Sequence, residues 1–84
     1  MAKIQMYSKV PCPYCVNAKR FFIEKEIEFE EIDMTDNLGG LDEIKKQYGW
    51  KTVPLILIDG KLIGGYTDLK DLNESGELDK LLAK

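Results

Sequence analysis

The chain has no histidine, two cysteines, three prolines and one tryptophan in 84 residues. Without an imidazole, no histidine can serve as the base for a nucleophile. Two cysteines and no histidine also fall short of the roughly four ligands of a tetrahedral zinc site, so no intrachain metal is expected. Basic residues are not in excess: Lys and Arg total 12 against 15 Asp and Glu, a net charge of -3. That balance argues against broad binding to nucleic acid or to an anionic membrane surface. No apolar run approaches the length of a membrane span. The opening residues, Met1 to Tyr7, alternate polar and apolar and lack the apolar stretch of a secretory signal. Cytoplasmic localisation is therefore expected. Length permits a single domain over residues 1–84 with a modest core.

What is present is concentrated in Cys12-Pro13-Tyr14-Cys15, which holds both cysteines. If a helix starts there, a three-residue offset is close to one turn of about 3.6 residues, and both sulfurs share a face. A purely structural disulfide would close so short a loop that it stabilises little. The pair is better suited to reversible exchange.

Periodicity supplies the frame. Lys3 to Tyr7 reads as an interior strand, with Ile4 and Met6 on one face. Cys15, Val16, Ala18, Phe21, Phe22, Ile23 and Ile27 mark the apolar side of a helix from about Pro13 to about Lys25. Glu28 to Asp33 is a short acidic strand suited to a sheet edge, and Glu24, Glu26, Glu28, Glu30 and Glu31 read as a solvated surface. Thr35-Asp36-Asn37 offers caps for a second helix that carries Leu41, Ile44 and Tyr48 on one face and stops at Gly49, with Ile44 and Tyr48, like Phe21 and Phe22, expected in the core by their spacing. Leu55 to Ile58, Asp59-Gly60 and Lys61 to Ile63 form a hairpin, because Asp-Gly suits a two-residue turn. Thr67 is the expected cap of a helix with Leu69 and Leu72, and Ser75-Gly76 separates it from a last helix with Leu78, Leu81 and Leu82. The order β-α-β-α-β-β-α-α implies an α/β, thioredoxin-like fold: a four-stranded mixed sheet flanked by helices.

Within that frame Cys12 falls at a helix N-cap, where unpaired N–H groups and the positive end of the dipole favour a thiolate. A free cysteine, with a pKa of about 8.5, is mostly protonated at neutral pH. Pro13 suits the first helical position, and Lys9 adds a nearby positive charge. Cys12 is the expected nucleophile. Cys15, one turn deeper and flanked by Val16 and Ala18, is the expected resolving thiol.

Together with Ser8-Lys9 ahead of the cysteines, Thr52-Val53-Pro54 before the hairpin and Gly64-Gly65-Tyr66-Thr67-Asp68 after it, this motif resembles the glutaredoxins, in particular their dithiol Cys-Pro-Tyr-Cys class. The resemblance spans nearly the whole chain. It implies a glutathione-dependent thiol-disulfide oxidoreductase that reduces protein-glutathione mixed disulfides and protein disulfides. Glutathione reductase would regenerate the glutathione, and a monomer is expected. It also implies a cis peptide before Pro54, which exposes the backbone of Val53 to the cysteinyl part of glutathione. Lys9 would meet the glycine carboxylate, with Gln47 and Lys51 as helpers, and Tyr14 would border the sulfur. Thr52, Val53 and Pro54 would line the site. Backbone N–H groups at Tyr66 and Thr67 would hold the γ-glutamyl carboxylate, and Asp68 the ammonium. Leu55 departs from the polar or basic residue common after that proline. Trp50 is unusual and reads as a hydrophobic plug over the end of the second helix, or else as a docking residue. Two other readings stand beside this one: an electron donor coupled to thioredoxin reductase, and a glutathione-ligated iron-sulfur cluster carrier.

Overall fold

The computed structural model describes residues 3–82; the remaining four of the expected 1–84 domain lie outside the described residues. Eight elements follow the expected order: β1 (Ile4–Ser8), α1 (Pro13–Glu24), β2 (Glu30–Asp33), α2 (Leu38–Tyr48), β3 (Leu55–Ile58), β4 (Lys61–Gly64), α3 (Tyr66–Ser75) and α4 (Glu77–Leu82). The sheet runs β2-β1-β3-β4, with β1 parallel to β2 and antiparallel to β3. This is the thioredoxin-like α/β arrangement, with β1 interior and the acidic β2 at an edge.

Strand alternation divides the core into two layers. Ile4 and Met6 of β1 and Ile56 and Ile58 of β3 pack with Ala18 and Phe22 of α1, Leu69 of α3 and Leu78 of α4. Leu55 and Leu57 point the other way and are also buried, and Leu41 of α2, 1% exposed, lies outside the first cluster. The β3–β4 hairpin turns at Asp59 and Gly60, both at positive φ (52° and 81°), as a primed two-residue turn requires.

Several expectations need correction. Val16 and Ile23 are 54% and 62% exposed, so the buried stripe of α1 is Cys15, Ala18 and Phe22, with Phe21, and Ile27 just beyond the helix, partly buried against the core as expected. Cys15 is buried as expected, at 5% exposure, although the adjacent Val16 is not. Ile44 and Tyr48 are half-buried and lie outside the main cluster. Glu31 is more than solvated surface: it accepts from Lys19 Nζ at 2.8 Å and from Ser8 Oγ at 3.3 Å, tying α1 to β1. The helix with Leu69 is capped by Gly65, not by Thr67.

Candidate active site

Cys12 is the N-cap of α1, with extended φ and ψ of -153° and 98°, and Pro13 follows as the first helical residue. The Cys15 amide N–H donates to Cys12 Sγ at 3.0 Å, while Val16 N–H makes the first intrahelical bond to Cys12 O at 3.2 Å. An N-cap sulfur thus takes the place that a serine or aspartate oxygen fills elsewhere. The two sulfurs are joined as a disulfide across a Cα–Cα separation of 5.2 Å. Cys12 is partly open to solvent and Cys15 is 5% exposed, so an incoming disulfide meets Cys12 first.

Across from Cys12 stands the loop before β3. The Val53–Pro54 peptide is cis, as the resemblance implied, and Val53 O lies 3.7 Å from Cys12 Sγ. Sequence reasoning did not find the second cis bond, Val10–Pro11, immediately before Cys12. The backbone ahead of Cys12 is held by a clamp that also escaped notice. Val10 N–H donates to Thr35 Oγ1 at 2.9 Å, and Thr35 donates to Asp33 through both its hydroxyl and its N–H. These bonds from the Thr35 hydroxyl, then from its N–H, together with the charge of Lys19, hold the exposed Asp33 carboxyl below its ordinary value.

The third wall is the start of α3. Gly64, at φ 116°, has no room for a Cβ, which would strike the Asp68 carboxylate. That carboxylate reaches back to accept Gly65 N–H at 3.0 Å. The first intrahelical bond runs from Leu69 N–H to Gly65 O, which leaves Tyr66 and Thr67 N–H without intrahelical acceptors. The Tyr14 ring, 60% exposed, stacks on Tyr66 with centroids 6.3 Å apart.

These walls enclose a cleft of about 210 Å³ that brings together Tyr14, Thr52, Val53, Pro54, Tyr66, Thr67 and Asp68, with Trp50 as an additional wall. Lys9 is placed elsewhere. It lines a separate groove of about 450 Å³ with Cys12, Cys15, Val16, Lys19 and Asp33, on the β2 side of the disulfide. Trp50's spacing carried no signal of its place in the cleft, because loop conformation alone decides it. Among the described residues, no three His, Cys, Asp or Glu side chains gather as a metal-binding group.

The glutaredoxin family profile matches residues 4–63 of this chain. The chain belongs to the glutaredoxin family. Glutaredoxin 3 of Escherichia coli (strain K12) is 42% identical over 82 residues, covering 98% of this chain and 99% of that protein. A solution structure of the Brucella melitensis glutaredoxin superposes with a TM-score of 0.84 at 36% identity, over 98% of this chain and 89% of that one. A buckwheat glutaredoxin-glutathione complex superposes with a TM-score of 0.86 at 26% identity, over 95% of this chain and 76% of that one. This glutaredoxin is thus a thiol-disulfide oxidoreductase working through the Cys12/Cys15 dithiol, whose oxidised form the structure captures. No helix among its described residues is long and apolar enough to cross a membrane.

Proposed function

We propose that this glutaredoxin uses glutathione as co-substrate to reduce glutathionylated and disulfide-bonded proteins. The supporting observation is that Cys12 Sγ, at the start of α1, faces the Val53 carbonyl at 3.7 Å beside the open N-terminus of α3. An N–H-lined helix end suits the γ-glutamyl carboxylate, and an exposed strand-like backbone suits the cysteinyl portion. The buckwheat relative bound to glutathione supports the same assignment.

The Cys12 thiolate attacks the glutathione sulfur of a protein-glutathione disulfide. The old S–S bond breaks, the protein leaves as thiolate, and Cys12 carries glutathione. A second glutathione thiolate attacks that adduct, leaving as oxidised glutathione and restoring Cys12. With a protein disulfide, Cys12 forms a mixed disulfide with the substrate, and Cys15 then attacks the Cys12 sulfur. The reduced protein departs and the Cys12–Cys15 disulfide remains. Two glutathiones reset it, and glutathione reductase recovers them. Val53 N–H and O pair the cysteinyl unit, Thr52 and Pro54 shape the wall, and Tyr14 borders the sulfur. Tyr66 and Thr67 N–H receive the γ-glutamyl carboxylate and Asp68 the ammonium. Neither Lys9 nor Lys51 lines the cleft; Lys9, in the adjoining groove that also holds Cys12, is assigned the glycine carboxylate where that end of glutathione extends past the sulfur. One chain contains every one of these groups, which supports a monomer; the compartment proposed for so closely spaced a dithiol is the reducing cytoplasm.

A coupled assay with a glutathionylated peptide, glutathione and glutathione reductase tests the reading. Turnover that depends on both glutathione and Cys12 is the expected result. Reduction of the Cys12–Cys15 disulfide by thioredoxin reductase, with no response to glutathione, would refute it.

A further inference from the structure

Trp50 Nε1–H is buried and has no hydrogen-bond partner, the one side-chain nitrogen or oxygen so placed among the described residues. Buried polar groups normally find partners, so an unpartnered donor beside a cleft calls for an acceptor that arrives from outside. Its position indicates which. The indole Cζ2 and Nε1 lie 3.6 and 4.0 Å from where a Cβ on Gly65 would stand. Gly65 is the N-cap of α3, and the N–H groups of Tyr66 and Thr67 next to it have no intrahelical acceptors. One Asp68 oxygen is already engaged by Gly65 N–H. Distances of 3.6 and 4.0 Å are ordinary van der Waals contact, so the indole borders the N-cap of α3 directly and without crowding it.

The surroundings favour an anion. Trp50 also borders a hollow of about 450 Å³ on its other side, where Lys45, Lys46 and Lys51 outnumber the single carboxylate of Asp42. The backbone of Trp50 is fixed at the end of α2 by its N–H to Lys45 O bond of 2.9 Å. The indole borders both this hollow and the cleft.

We propose that Trp50 is a further ligand-binding residue, whose indole N–H donates to the γ-glutamyl carboxylate seated at the N-terminus of α3. This rests on the glutathione reading above and adds to it a side-chain donor and a cationic border. Trp50 selects the γ-glutamyl end of the substrate and takes no part in the sulfur exchange.

The test compares two mixed disulfides of one peptide, one with glutathione and one with cysteinylglycine, which lacks the γ-glutamyl unit. Trp50→Phe keeps an aromatic ring and removes the N–H. It is expected to lower kcat/KM for the glutathionylated peptide about tenfold, equivalent to about 1.4 kcal/mol. The cysteinylglycine peptide should react at the wild-type rate, and the melting temperature of the free protein should not fall. Because the chain has a single tryptophan, its indole N–H resonance can be followed without assignment. In Cys15→Ser it should move downfield when Cys12 carries glutathione and stay in place when Cys12 carries cysteinylglycine. An unchanged preference in Trp50→Phe, an equal loss on both peptides, or a resonance indifferent to the γ-glutamyl unit would overturn the proposal. A wild-type enzyme that does not distinguish the two peptides would instead overturn the glutathione reading itself.

Discussion

The amide of Cys15 donates to the sulfur of Cys12 across 3.0 Å, so the resolving residue also solvates the nucleophile. The donor is backbone, so replacing the Cys15 side chain leaves it in place. Cys15→Ser is therefore expected to keep reduction of glutathionylated peptide while losing dithiol reduction of a protein disulfide. Cys12→Ser should fall to the uncatalysed background in both. Parallel assays on the two substrates check this, and equal loss in both variants would refute the division of roles.

Gly64 holds a φ of 116° with the Asp68 carboxylate where a Cβ would project. Gly64→Ala combines a backbone conformation unfavourable to L-residues with a collision that only movement of Asp68 can relieve. The expected cost exceeds about 1 kcal/mol in urea unfolding. KM for the glutathionylated peptide should rise as well, since Asp68 is displaced. An alanine variant as stable as the wild type would contradict the geometry.

Asp68 has two tasks that substitution can separate. Asp68→Ala removes the acceptor for Gly65 N–H and should cost about 1 kcal/mol of stability, in the range of a lost helix cap. Asp68→Asn keeps an oxygen acceptor but not the charge. It should retain most of the stability while raising KM for glutathionylated substrates. Chemical unfolding and steady-state kinetics on the two variants distinguish the roles.

Asp33 predicts an acid-side signature. Its folded-state value is lowered below the ordinary 3.8 by the bonds from Thr35 and the charge of Lys19. A lowered folded value means that the unfolded state binds the proton more readily. The stabilisation is thus complete above the unfolded value and is lost as pH falls through the folded one. Melting curves of Asp33→Asn should match the wild type more closely in strong acid, below the folded-state value, than at about pH 6. Thr35→Val should flatten the same limb and slow turnover at pH 7, because Val10 N–H loses its acceptor ahead of Cys12.

Features governed by local chemistry were legible in the sequence. Asp59-Gly60 specified its turn, Gly49 and Gly76 ended helices in the left-handed conformation, and Cys12-Pro13 marked the start of α1. The misjudged residues answer to longer-range geometry. Thr67 looked like the cap because threonine is a good one, yet Asp68 reaching back to Gly65 starts the helix earlier. Val16 and Ile23 each follow a buried residue by one position, which at about 3.6 residues per turn carries them roughly 100° round the helix from the face of Cys15, Ala18 and Phe22 and leaves them exposed. The Val10–Thr35–Asp33 clamp joins positions 25 residues apart, and no local pattern foretells it. Trp50 follows the left-handed turn at Gly49 and reaches the N-cap of α3 only through tertiary packing, which its own sequence neighbours do not announce.

The outer strand β2 has three carboxylates, Glu30, Glu31 and Asp33, in only four residues. Its outward backbone groups could template a second copy, but in-register approach would set these like charges against one another. Among the described residues, Glu31 is the one of the three that is neutralised by a lysine of its own chain. The same acidic strand therefore guards against ribbon-like polymerisation at neutral pH, a safeguard that weakens once acid or concentrated salt removes the repulsion.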